Sequence, residues 1–210
     1  HDGYLIEFGK TLRVVHPNKE LSFDFQPKEF IVMEDNGYLI IDSKKIGHYF
    51  NREWEEITFG EPLTKVTYVG EGLAFSRSKS VTRLFGGDTD VELKVGYRST
   101  GSFKNGFLLV EYADKFEFLN VDGVTELKRV FEFAEPFSGP YATVKESEGW
   151  TIIDGNGHFQ ILPGFDKITP LSPSIFSTKA QPVFGLFDSH GNELIPCLLY
   201  TSPSPRDSFR

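Results

Sequence analysis

The chain is nearly without sulfur: one cysteine and one methionine stand among 210 residues, and the cysteine, Cys197, lies near the C-terminal end. Disulfide frameworks, CxxC redox pairs and cysteine-based zinc sites are therefore excluded. No apolar run approaches the roughly 20 residues a membrane-spanning helix needs, and no block of like charge occurs. Lys and Arg number 22 against 30 Asp and Glu, a formal net charge of −8, which argues against a nucleic-acid or anionic-membrane surface. Helix signals are missing too. Gly or Pro interrupts nearly every stretch of about ten residues, and apolar residues do not recur at the helical period. Phenylalanine, by contrast, is abundant: 21 Phe with 8 Tyr and 2 Trp bring the aromatics to 15%, a usage that favours strands.

Aligned against itself, the sequence repeats every 34 residues. The pairs Leu84-Phe85, Phe118-Leu119, Ile152-Ile153 and Leu186-Phe187 fall at that spacing. So do the columns Val69, Phe103, Phe137, Leu171; Leu73, Phe107, Tyr141, Ile175; and Leu63, Tyr97, Phe131, Phe165. Gly123, Gly157 and Gly191 follow Asn120, Asp154 and Asp188 by three residues, and Asp2-Gly3-Tyr4-Leu5-Ile6 returns as Asn36-Gly37-Tyr38-Leu39-Ile40. A fixed period of this length means one supersecondary unit per repeat, stacked because no unit buries its apolar face alone. The period breaks once. Ile41 and Leu63 are 22 residues apart where the equivalent positions elsewhere are 12 apart, so ten extra residues lie between 42 and 62.

Within a unit the chemistry is that of short strands and tight turns. Gly149-Trp150-Thr151-Ile152-Ile153 reads as a strand, and Asp154-Gly155-Asn156-Gly157 as a type I turn with the last Gly at positive φ. The chain returns through His158–Leu162, and Glu126–Phe131, at the matching position, is read as strand despite its helical look. The expectation is an all-β fold of tandem 34-residue β-meander repeats over residues 1–196, stacked as a propeller-like or solenoid array.

These residues resemble the bacterial WG-repeat (KWG) family. Gly72-Leu73-Ala74, Trp150 with Ile152-Ile153-Asp154 and Gly157, and Ile161-Leu162-Pro163-Gly164-Phe165-Asp166-Lys167-Ile168 match its three blocks, and Phe184–Gly191 with Glu193–Pro196 is a further copy. No copy keeps Trp and Gly adjacent. The resemblance implies a bacterial all-β array with no catalytic residues and no defined ligand. Cys197–Asp207 in turn resembles an in-frame translation of a DNA-library adapter, so residues 197–210 are expected to be an artefactual or disordered tail. The chain opens on His1, which is read as a missing upstream stretch; the compartment, cytoplasmic or exported, stays open.

No nucleophile elbow, zincin motif, phosphate loop or dinucleotide fingerprint is present, and nothing calls for a cofactor or metal. Asp188-Ser189-His190 are neighbours in a turn and cannot form a relay; Asp154–Gly157 lacks the further ligands of a calcium loop. His158 and His190 occupy non-equivalent positions, and Asp88, Asp90 and Glu92 read as a solvated strand face. Trp150 shares its column with Phe116 and Phe184, which suggests a structural role. The insertion is the functional candidate, since insertions in repeat proteins form loops on one face. Tyr49, Phe50 and Trp54 are read as apolar anchors for a partner, with Glu53, Glu55 and Glu56 orienting it. The alternative for Trp54 is that it packs onto the array. The expected function is a non-catalytic protein-interaction or scaffold module; a carbohydrate- or envelope-binding module is the second reading and an enzyme the last. The partner is thus an unknown protein or glycan, with no nucleic acid and no membrane span within the residues given.

Overall fold

The computed structural model describes residues 4–8, 11–16, 19–21, 23–34, 37–180, 183–188 and 190–199. Among these there is no α-helix, and every regular element beyond a single 3₁₀ residue is a strand. The chain divides into two compact units, His1–Phe103 with Val121–Val124, and Lys104–Asn120 with Thr125–Arg210.

In the first unit, β1 (Tyr4–Phe8), β2 (Thr11–His16) and β3 (Lys19–Leu21) form a meander. A second sheet follows in chain order with β4 (Pro27–Val32), β5 (Tyr38–Asp42), β6 (Ile46–Phe50) and β7 (Glu56–Ile57), and β8 (Leu63–Thr64) also pairs with β6. The third holds β9 (Thr67–Gly70), β10 (Leu73–Arg77), β11 (Thr82–Gly86) and β12 (Thr89–Leu93); β13 (Arg98–Ser99) completes the unit. Its core is made between sheets: Met33, Leu39, Tyr49 and Leu63 pack with Ala74 and Phe85.

In the second unit, β14 (Leu108–Tyr112) and β15 (Lys115–Leu119) form a hairpin. Two four-stranded meanders come after it: β16 (Phe133–Ala134), β17 (Tyr141–Glu146), β18 (Gly149–Asp154) and β19 (Phe159–Phe165), then β20 (Lys167–Ser172), β21 (Ile175–Ala180), β22 (Val183–Asp188) and β23 (Glu193–Leu199). Phe118 packs with Phe131, Phe137 and Ile153 in one interior layer, and Ile152 with Ile161, Ile168 and Phe176 in the next. Adjacent residues such as Ile152 and Ile153 thus serve opposite faces, as the two-residue side-chain period of a strand requires.

The column of paired apolar residues lands on equivalent places. Leu84-Phe85, Phe118-Leu119, Ile152-Ile153 and Leu186-Phe187 lie in β11, β15, β18 and β22, and Tyr4 and Tyr38 open β1 and β5. Asp2, Gly3 and Asn36 lie outside the described residues.

The turns explain the recurrent acids. Asp154 Oδ1 accepts the amides of Asn156 and His158 at 2.8 and 2.9 Å. Asp188 Oδ1 accepts those of His190 and Asn192, both at 2.8 Å. Asp42 Oδ1 does the same for Lys44 and Ile46. Each is a side chain standing in for a backbone acceptor. Gly157 and Gly191 close their turns at φ +77° and +79°; Lys45 takes the glycine's place in the first turn at +66°.

Two expectations need correction or extension. Residues 126–130 are not a strand: only Phe131 reaches a bridge, with Phe116, while Lys128 turns at φ +49°. Leu127 and Phe131 both enter the same core layer, and Leu127 does so from a turn in which the Lys128 amide donates to the Thr125 carbonyl at 3.2 Å. At the other end, β23 runs to Leu199, so the ladder includes Cys197–Leu199 of the adapter-like stretch, and residues 200–210 lie outside the described residues.

Candidate functional site

The insertion folds back onto its own sheet. After β6 the chain turns at Asn51, whose Oδ1 accepts the Glu55 amide at 2.8 Å while its own amide donates to the Glu55 carbonyl at 3.0 Å. Trp54 takes the left-handed φ of +60° inside this turn. The chain then pairs with the far half of β6 (Tyr49↔Ile57, Phe50↔Glu56), leaves it through residues 58–62, and pairs with the near half (Ile46↔Thr64, Gly47↔Leu63). One strand therefore carries both arms of the insertion.

The burial of the three aromatics corrects the expectation of a projecting contact patch. Tyr49, Phe50 and Trp54 are only 3%, 5% and 6% exposed. Trp54 stacks on Tyr38 with ring centroids 3.9 Å apart, and with Phe50 it joins Ile40, Phe23, Phe25 and Phe30 in a cluster. Tyr49 turns to the opposite face, packs on Phe85, and its hydroxyl accepts the Gly87 amide at 2.7 Å. Burial raises the Tyr49 phenol above its ordinary pKa, the Gly87 amide opposes this, and the charge of Asp88 adds to it. The reason is pleat geometry: Tyr49 and Phe50 are neighbours on a strand whose two faces are both covered.

What the insertion leaves outside is different. Arg52, Glu53, Glu55, Glu56, Ile57, Thr58 and Glu61 are exposed. Two open cavities flank Ile57. One, of about 320 Å³, is bounded by the two arms and His48; the other, of about 540 Å³, is lined by Tyr49, Asn51, Arg52, Glu53, Ile57, Gly87 and Asp88. At the first of them His48 acts as a strut. Its Nδ1 donates to Glu56 Oε1 at 2.8 Å, its ring stacks on Phe25 at 3.6 Å, and its Nε2 faces Asp42 Oδ2 at 3.8 Å. Glu56 can only accept, so the proton of that bond sits on Nδ1. Phe59 lies under the Arg83 guanidinium at 5.2 Å, and Glu61 accepts from the hydroxyls of Ser78 and Ser80.

The remaining candidates are taken up by structure. Arg83 bridges Asp90 and Glu92, so these acids form a cross-strand ion-pair ladder; Asp88 stands apart at the second cavity. His158 lies 3.4 Å from the Asp154 carboxylate of its own turn. Ser189 is outside the described residues. Trp150 is half-buried and contacts Phe133, which also contacts Phe116, its column partner. A third cavity, lined by Lys65, Thr67, Phe75, Arg77, Arg98 and Ser99, has no signature in the sequence because its cations are scattered between residues 65 and 98. Among the described residues no group of three His, Cys, Asp or Glu is placed to hold a metal ion, and no helix is long and apolar enough to cross a membrane.

No protein-family model and no curated protein matches the chain. Solved structures similar to it include the WD40 β-propeller domain of Doa1, at 13% identity and TM-score 0.33 over 83% of this chain and 69% of that one. Kluyveromyces lactis Hsv2 is 14% identical with TM-score 0.37, covering 90% and 71%. The WD40 domain of Neurospora crassa Pan2 is 13% identical with TM-score 0.30, covering 77% and 63%. Neither a family nor an activity follows from likeness at this level.

Proposed function

We propose that the chain is a non-catalytic protein-interaction module of WG-like repeats, and that the inserted segment is its contact surface. The observation that carries this reading is Ile57, 39% exposed between two open cavities, with Glu53, Glu56, Glu61 and Asp88 among the residues around them. An apolar side chain ringed by carboxylates suits a protein segment that places an aliphatic or aromatic residue beside Lys or Arg. The buried aromatics act beneath it: they fix the insertion to the core, so the surface is held in shape before a partner arrives. A carbohydrate platform is less well supported there, because the insertion's one indole, Trp54, is inside.

Selection from a displayed random-peptide library tests the reading. Enriched sequences should pair an apolar residue with neighbouring Lys or Arg, and binding should fall at least tenfold in Ile57→Asp and in Glu53→Lys while the melting temperature stays within about 2 °C of wild type. Peptides that bind both variants as tightly as wild type would overturn it.

A further inference from the structure

The second unit contains two successive four-stranded sheets, and the first uses a defined set of residues to receive the second. Tyr141, Trp150, Ile152 and Ile161 belong to the layer that packs against Ile168, Phe176 and Phe187 of the following sheet. Tyr141 meets Phe176 edge-on at 6.3 Å, and Phe165 meets Phe187 at 5.7 Å.

Advancing each of the four receiving residues by 34 gives Ile175, Phe184, Leu186 and Ile195. The ladders place these four together. Ile175 pairs with Asp188, Ser177 with Leu186, Lys179 with Phe184, and Leu186 with Ile195, so all four project from one face of β21–β23. Phe176 and Phe187, paired with each other, project from the opposite face, which is the one already packed. On the free face Ile175 is 36%, Phe184 51% and Ile195 45% exposed, and Leu186 is half-buried. Ile152 and Ile161, buried in one repeat, and Tyr141 and Trp150, half-buried there, correspond to residues that are more open in the next and keep the same apolar character. Lys179 lies over the Phe184 ring at 5.6 Å.

We infer that this outer face of β20–β23 is a docking surface for a further antiparallel sheet of the same repeat kind, presenting one aliphatic and two aromatic side chains as Ile168, Phe176 and Phe187 do. The occupant is a sheet because the equivalent face one repeat earlier, built from the same positions, receives a sheet; two pleated surfaces interdigitate across about 10 Å, which neither a flat ligand nor a single extended segment would fill. This surface shares no residue with the insertion, so the two readings stand or fall independently.

The experiment uses the full chain with Phe184→Trp, the residue type found at the equivalent position 150. It is compared with the same chain in which a second copy of residues 166–199 follows Leu199. With the copy present, iodide quenching of the introduced indole should fall several-fold, its emission should move to the blue, and the unfolding midpoint should rise. An appended copy carrying Phe176→Asp and Phe187→Asp should produce none of these. Unchanged quenching beside a folded copy would overturn the inference, as would a wild-type copy that acquires no protected amides. Concentration-dependent shielding of the indole in the unextended chain would also overturn it, in favour of a second copy of the chain as occupant.

Discussion

At the scale of single residues, composition predicted the presence of an aromatic core but not which aromatics were in it. Tyr49, Phe50 and Trp54 look like surface anchors because they sit in an insertion beside acids, and nothing in a one-dimensional string says that both faces of β6 are covered. Their truncation should therefore act on folding. Trp54→Ala is expected to lower stability by about 3–5 kcal/mol, as for other buried aromatics, measured as a drop in the denaturant midpoint at unchanged slope. The turn aspartates make a second prediction. Burial pushes the Asp154 carboxyl up, but the amides of His158 and Asn156 outweigh it and the net shift is below the ordinary 3.8. A carboxylate with a depressed folded-state pKa stabilises the fold above its unfolded-state value and loses that contribution as pH falls through the folded value. Between pH 5 and pH 2, Asp154→Asn should consequently lose less stability than wild type; equal slopes in a pH series of denaturant titrations would refute this.

Elements were legible where local chemistry and the repeat agreed. The hairpin β18–β19 could be read from Asp154 and Gly157, and β22–β23 from Asp188 and Gly191, because a turn needs particular residues at particular places. Glu126–Phe131 misled because the repeat alone placed it, while residues 125–128 close a turn in which the Lys128 amide donates to the Thr125 carbonyl. The arms of the insertion were invisible for a related reason: β7 and β8 are two residues each, too short for any alternation to register. Gly191 gives the prediction at this scale. A Cβ there would collide with the carbonyl of Gln160, and φ +79° is strained for any other side chain. Gly191→Ala should speed amide exchange in β22 and β23 well before it affects β14 and β15, which can be followed by exchange mass spectrometry.

For the whole molecule, the period of 34 carried most of the information, since it announced strands, turns and shared apolar layers at once. It could not reveal the cavities, which depend on how the inserted segment folds back on β6 and on what it meets at Gly87 and Asp88. The charge of −8 has its consequence here rather than at any one residue. A basic partner should be drawn in by the summed field, so raising salt from about 50 to about 500 mM should slow association roughly tenfold and leave dissociation nearly unchanged. Stopped-flow mixing with a selected peptide would measure both rates.

Within each four-stranded sheet the strands lie in the order in which the chain supplies them. No such sheet has to wait for a stretch synthesised much later. At about 5–20 residues per second a ribosome delivers a 34-residue unit in roughly 2–7 s, far longer than the microseconds a hairpin needs to form. Each meander can close as it leaves the exit tunnel and present its apolar face to the one that follows, so the order of assembly is written in the direction of translation.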